Sequence, residues 1–321
     1  MEMLHYDFMQ RAFCAGGIIA LVASVLGVHL MLRRQALMAD MLSHVSLAGV
    51  AAGAYLGWNP SYAGFAAAVA GAIAVEYIRR SYRAYSEMSI AIIMIGGLSS
   101  AVVLMGLNKG MNKSFSSYLF GSVVAVNEAE LMLMLGAAAV GAIFFILLRR
   151  PLYQMAFDEE TAQTNGIPVR LISMLFSMVT GMIVAAAMPI VGVLLVSALI
   201  VLPAALAVRL ARSFAAALMI AMLAGVAGVF TGLTASYELG TPPGGTIALF
   251  LLALLILGIV LKKVSVIAGK LGNRQNRTII NHHQTGQVQV AKQDAFPRMK
   301  SNKLDAPATH THGGTENESY V

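Results

Sequence analysis

Apolar runs of roughly 18 to 22 residues recur from Phe13 to Leu261, each long enough to carry a helix across about 30 Å of hydrocarbon at about 1.5 Å per residue. They read as 13–32, 36–57, 61–78, 88–107, 129–148, 171–188, 190–210, 214–235 and 245–261. The fold class expected is all-α, a polytopic membrane protein of eight or nine transmembrane helices over residues 1–264. Composition agrees: 58% of the 321 residues are hydrophobic and 12% are charged, against about 25% charged in a soluble domain. The first run lacks a preceding basic segment and is long enough to span, so it is expected to be a retained span and not a cleaved leader.

Two details stay open on sequence alone. The runs 171–188 and 190–210 are separated only by Pro189, which permits a tight turn or one broken helix. Ser116–Val126 ("SSYLFGSVVAV") is too short to span and reads as an interfacial or re-entrant piece.

Basic residues cluster at Arg33/Arg34, Arg79/Arg80/Arg83, Arg149/Arg150, Arg209/Arg212 and Lys262/Lys263, each at the end of an odd-numbered run. Excess Lys and Arg mark cytoplasmic loops, so the N-terminus is expected outside and the C-terminus inside, with Lys109 and Lys113 a minor violation. The net charge of +7 follows from this and is no nucleic-acid signal. From about Ser265 the chain turns polar and loses apolar periodicity; residues 265–321 read as a disordered cytoplasmic tail. Cys14, the single cysteine, reads as a small apolar residue at a helix start.

Asp40 and His44 stand four residues apart in "ALMADMLSHVSLAGVAAG" (36–53), on one face of a helix. A carboxylate and an imidazole so spaced can share a divalent cation such as Zn²⁺ or Mn²⁺. Ionisable groups are costly in lipid, which points to function. The competing reading pairs Asp40 with Arg33 or Arg34, about 10 Å away along a helix, and has His44 bond a neighbouring helix. The two readings stand level on these residues, and two ligands do not complete a site. Gly49 and Gly53 form a G-x-x-x-G that allows close packing against another helix, either one of this chain or a second copy.

Between two runs, Leu152–Arg170 holds Asp158, Glu159 and Glu160. Asp158 can cap a short helix, Gly166 can end it and Pro168 blocks its continuation. A helix of that kind can dock a partner, although a solvated connector explains the same residues. Glu238, in the turn-rich "SYELGTPPGGT", reads as part of a surface turn. His282, His283, His310 and His312 fall in the tail, where the pairs could bind a divalent metal weakly, although a disordered tail gathers histidines without one. His5 and His29 are expected at the interface, Glu76 and Glu87 in local ion pairs with Arg79, Arg80 and Arg83, and Pro203 at a kink. No G-x-x-x-x-G-K-[ST] occurs, so any ATPase is another polypeptide.

Three of these stretches together resemble the integral membrane permease of bacterial ABC importers for zinc and manganese: "MADMLSHVSLAGVAAG", "FDEETAQTNGIPV" and "PIVGVLLVSALIVLPAALAVRLARS". "LFGSVVAV" is similar to that family's central region, and the likeness covers about residues 5 to 265. The resemblance implies an importer subunit in the bacterial cell membrane, not an enzyme. Asp40 and His44 would form its metal site, and Asp158, Glu159, Glu160, Ala162 and Gly166 its ATPase-coupling segment. The implied partners are a second copy, cytoplasmic ATPase subunits, an extracellular metal-binding protein and the bilayer, with no nucleic acid. No permanent cofactor is implied; Zn²⁺ or Mn²⁺ is cargo. Zinc-type members tend to read Ser-His-x-Ser-Leu, as "SHVSLAG" does here, which favours zinc. The alternative is a gradient-driven metal transporter or channel, which predicts ligands on at least two helices of one chain. A membrane metalloprotease would need H-E-x-x-H in a span, and none is present.

Overall fold

The computed structural model describes residues 7–81, 86–107, 112–122 and 128–264. The chain separates into a unit of residues 1–262 and a second of 263–321, and nearly all described residues belong to the first. Their helices are α1 (Asp7–Leu32), α2 (Leu37–Tyr55), α3 (Pro60–Ser81), α4 (Ser86–Leu107), α5 (Asn112–Phe120), α6 (Glu128–Leu147), α7 (Arg149–Phe157), α8 (Glu159–Thr164), α9 (Val169–Val191), α10 (Val193–Leu210) and α11 (Phe214–Leu239), followed by α12 (Pro243–Val264). All but α5, α7 and α8 are long and apolar enough to cross a membrane, which gives nine spans among the described residues. No strand occurs among them. The expected tail lies outside the described residues, as do His5, Arg83 and Lys109.

Helices α1, α2 and α9 form the enclosed centre, whereas α4 and α12 lie at the periphery. Ile92, Ile95 and Val103 of α4 and Leu249, Ile256 and Leu257 of α12 are exposed. Lipid tails are as apolar as leucine, so association of the spans rests on close van der Waals contact and polar bonds. The glycines supply that closeness. A Cβ added to Gly27 of α1 would stand 2.0 Å from the Ile200 carbonyl oxygen of α10. At Gly49 it would stand 2.3 Å from Ala67 Cβ, and at Gly53 2.5 Å from Ala63 Cβ. The partner of the G-x-x-x-G face is therefore α3 of the same chain, and that face is not free for a second copy.

The boundary between the sixth and seventh spans is not where proline suggested. Helix α9 runs through Pro189 to Val191 and stops at Gly192, whose φ of 85° and ψ of 151° few side chains tolerate. Proline deletes one donor yet is tolerated near a membrane helix end; the positive φ forces the break. The Ser122 amide donates to the Pro189 carbonyl at 3.1 Å. A Cβ on Gly192 would lie 2.4 Å from the Gly121 nitrogen, and one on Gly244 1.8 Å from the Val191 carbonyl oxygen. The end of α5, the α9–α10 break and the start of α12 thus interlock at the end of the bundle away from the arginines.

Gly27 and Gly96 separate packing from propensity. Gly96 has nothing within 4 Å of an added Cβ, so Gly96→Ala should hold or raise stability by about 0.5–1 kcal/mol. Gly27→Ala should lower it by about 1–3 kcal/mol through overpacking. Thermal unfolding of the two purified variants in one detergent reads the difference; equal melting temperatures would show that α1 and α10 can part freely.

Candidate metal and coupling sites

Asp40 sits in the first turn of α2 and His44 about 6 Å further along the axis. Their side chains face each other, with His44 Nε2 3.9 Å from Asp40 Oδ1, and are 10% and 31% exposed respectively. That gap is too long for a hydrogen bond, yet a cation bonded at about 2.0–2.2 Å to each atom can bridge it. His44 Nδ1 is buried with no hydrogen-bond partner. The Ser43 hydroxyl donates to the Asp40 backbone carbonyl at 2.7 Å, which leaves the carboxylate free of it.

The depth of the pair is set by its neighbours. An added Cβ on Gly97 of α4 would meet the His44 carbonyl at 3.2 Å, and one on Gly71 of α3 would meet Val45 Cγ1 at 2.8 Å. Gly97 and Gly71 lie at the midpoints of their helices, so His44 is at mid-bundle and Asp40 one turn nearer the arginines. On α2, Leu37, Asp40, Ala48, Ala52 and Tyr55 are partly or fully exposed, a stripe that this chain's own helices leave open. Among the described residues no group of three or more His, Cys, Asp or Glu comes together.

Arg33 does not pair with Asp40. Its Nη2 donates to Ser173 Oγ of α9 at 2.8 Å, and its guanidinium lies 4.8 Å over the Phe176 ring. Arg79 Nη2 of α3 donates to the same Ser173 oxygen at 3.0 Å. Glu76, buried in α3, accepts from Arg79 at 3.0 and 3.2 Å, Arg80 at 2.9 Å and Ser177 of α9 at 3.1 Å. Arg80 also reaches the Arg170 carbonyl at 3.0 Å. Burial first, then the neighbouring Arg79, lowers Arg33 to about 10, with Glu159 acting in the opposite sense; Arg33 stays charged at neutral pH.

Helix α8 is closed at both ends by its own sequence. Asp158 accepts from the amides of Glu160 and Thr161 at 3.0 and 3.2 Å, and from the Thr161 hydroxyl. The Thr161 hydroxyl, then the Thr161 amide, hold the exposed Asp158 carboxyl below the usual carboxylate range, with the Glu160 amide adding to them. At the other end Gly166 has a φ of 80°. Its amide donates to the Gln163 carbonyl at 3.1 Å and the Ile167 amide to that of Ala162 at 3.2 Å, the paired closure of a Schellman motif. Ala162 is buried while Glu159 and Glu160 are exposed, so α8 is pinned by one side and presents its acids outward. Beside it, Tyr153 and Phe157 of α7 are exposed and pack together, ring centroids 4.9 Å apart.

Other readings shift. His29, in the last turn of α1, is buried among helices, with Nδ1 2.8 Å from the Val25 carbonyl and rings of Phe145 and Phe214 at 5.1 and 5.5 Å. Three aromatic neighbours drawn from different helices leave no mark in a linear pattern. Glu76 looked like a local ion pair, and its i+3 and i+4 arginines were visible; its link to Ser173 and Ser177, about 100 residues away, was not. Glu130 was passed over: it is buried and accepts from Ser61 at 2.8 Å and Tyr118 at 3.3 Å, tying the starts of α3 and α6 to α5. Glu238 is exposed but does not lie in a turn: α11 runs on to Leu239, and the turn begins at its left-handed cap Gly240.

The ABC 3 transport family matches residues 5–262 of the chain. A Treponema pallidum protein named "Probable metal transport system membrane protein" is 36% identical over 264 residues, covering 82% of this chain and 98% of its own. The manganese transport system membrane protein MntC of Halalkalibacterium halodurans is 29% identical over 248 residues, 77% of this chain and 85% of its own. Among solved structures, PsaBC from Streptococcus pneumoniae in complex with Fab superposes with a TM-score of 0.71 at 26% identity, over 80% of this chain and 92% of that one. With nine spans of the expected kind among the described residues and a match over nearly all of them, the chain belongs to the ABC 3 transport family, as a membrane permease and not an enzyme.

Proposed function

We propose that the chain is the permease subunit of an ATP-driven importer for a divalent first-row transition metal ion, taken up across the bacterial cell membrane through the open stripe of α2. The observation that carries this is the Asp40–His44 pair, 3.9 Å apart, with the buried His44 at mid-bundle and Asp40 half-buried on the stripe of α2 that its own chain leaves open. A carboxylate and an imidazole offer two donors, and a transported ion needs at least one more; a second copy of α2 across a two-fold axis would supply the same pair again. The buried His44 Nδ1 has no hydrogen-bond partner, so no bond to a neighbouring helix commits the imidazole to a structural role. The gradient-driven alternative calls for acidic or histidine ligands on a second helix of the chain, and among the described residues none joins the pair.

Zinc is the cargo we favour, on the Ser-His-Val-Ser-Leu wording after Asp40. The named manganese relative favours the harder ion, and carboxylate with imidazole accepts both. Energy would enter from separate ATPase chains docked on α8, with Glu159 and Glu160 outward on the arginine-rich side. That side is the cytoplasmic one by the positive-inside rule, which places the N-terminus outside. An extracellular binding protein would deliver the ion to the interlocked end.

Uptake of labelled Zn²⁺ by cells whose only importer is this one should fall to background for Asp40→Ala and for His44→Ala, with the variants still present in the membrane. Normal uptake in both would remove the pair from the path. In the same cells, tenfold excess Mn²⁺ should leave Zn²⁺ uptake above half; stronger competition assigns manganese as the preferred cargo. Glu159→Lys with Glu160→Lys should abolish ATPase stimulation in the assembled complex, and unaltered stimulation would make α8 an ordinary connector. The cap of α8 has its own pH signature. The Asp158 carboxyl is held low in the folded chain, so its contribution is complete above the unfolded value of about 3.9. It disappears only as pH falls through the lower folded value. Protection of the Glu160 and Thr161 amides from exchange, relative to the free-chain rate at each pH, should hold down to about pH 4 and fall below it, and Asp158→Asn should erase that step.

A further inference from the structure

The four residues that join α1 to α2 are in an unfavourable state. Arg34 has a φ of 57°, the left-handed region, and is the one non-glycine residue there among those described. The turn closes α1 through Arg34 N to the Met31 carbonyl at 3.1 Å and Gln35 N to the Leu30 carbonyl at 2.8 Å, a closure whose left-handed position normally takes glycine. Arg33 Nη1 and Gln35 Oε1 are both buried without a hydrogen-bond partner, and such groups cost free energy when unmade. Backbone strain and two unsatisfied side chains thus coincide within three residues. Strain of this kind persists where the surroundings over-determine it, and it gathers at elements that change state.

The surroundings that hold it are identifiable. Arg33 is fixed by Ser173 Oγ, which Arg79 shares, and Glu76 anchors Arg79 and Arg80 to Ser177. Ser173 lies in the second turn of α9, and α9 follows α8 without slack: the Ile167 amide bonds Ala162, the Val169 amide bonds Ile167 and the Ile172 amide bonds the Pro168 carbonyl. Contacts therefore run unbroken from α8 to the start of α9, through Ser173 to Arg33, and along the turn to α2, where Asp40 is seven residues beyond Arg33.

We propose that Ser173 is a positioning residue of the transport cycle. It latches the strained α1–α2 turn to the start of α9, so that movement of α8 is delivered to Asp40 through this joint. The inference rests on the metal reading of α2 and the docking reading of α8 given above. In this joint the hydroxyl acts as the common acceptor of two guanidinium groups, and its loss frees Arg33 to satisfy its unpartnered Nη1 elsewhere, which relaxes the turn.

The test uses the whole importer, with its ATPase and binding protein, in sealed vesicles, and reads ions transported per ATP hydrolysed. Ser173→Ala should lower that ratio about fivefold or more while yield and melting temperature hold, and Ser173→Thr, which keeps a hydroxyl, should restore it. Arg34→Gly, at an exposed position, provides a second arm should Ser173→Ala fold poorly; by freeing the strained φ it should also lower the ratio. An unchanged ratio in both Ser173→Ala and Arg34→Gly overturns the joint, as does a fall in melting temperature with the ratio intact. A normal ratio in these two beside a defective Glu159→Lys/Glu160→Lys complex sinks the joint and spares the docking reading. The reverse pattern sinks the docking reading and, with it, the joint as a relay from α8.

Discussion

Glu76 is a carboxylate buried within a membrane helix, and the arginine-rich end of the bundle is organised around it. Removing such a group from water is costly unless every lone pair is used. Here two guanidinium groups and a serine hydroxyl use them. Helix association in lipid has no hydrophobic drive to draw on, so a satisfied polar cluster of this kind does what an apolar core does in water. It fixes how far α9 enters beside α3, and through Ser173 it fixes Arg33 and the entry angle of α2. The opposite end uses the other means available, backbone touching backbone at Gly121, Gly192 and Gly244. One end is thus held by directional bonds between charged groups, the other by shape together with the Glu130 bonds to Ser61 and Tyr118.

That asymmetry bears on how an α2 site can be both buried and usable. Helix α2 is pressed against α3 at Gly49 and Gly53 and crossed by α4 at Gly97, so its backbone has little freedom in the half away from the arginines. Its first turn, with Asp40, hangs instead from a short strained turn and a hydrogen-bonded latch. A ligand on the loosely held turn and a ligand on the clamped stretch can change separation while the rest of the helix stays put.

The spans were legible because length and hydropathy are physical requirements of crossing a membrane, and each can be checked along the chain without knowing what packs where. The close-packing role of Gly49 and Gly53 was legible for the same local reason; which helix they face was not, since Ala63 and Ala67 are small residues like many others. The break at Gly192 was misplaced onto Pro189 because proline's missing donor is visible in a sequence while a φ of 85° is not. The burial of His29 was not legible because its aromatic surroundings come from α6, α9 and α11, which no window around residue 29 contains.

Asp40 is the instructive case of partial legibility. Counting residues puts it at the edge of its helix, where a charged side chain needs no special reason. The depth of a residue depends on the neighbours of its helix, and those are set by Gly71 and Gly97 meeting α2 at Val45 and His44. Once those two contacts are known, a first-turn aspartate lies only one turn from mid-bundle. The cost that makes such a residue informative therefore follows from packing, and the same packing leaves its stripe of α2 open.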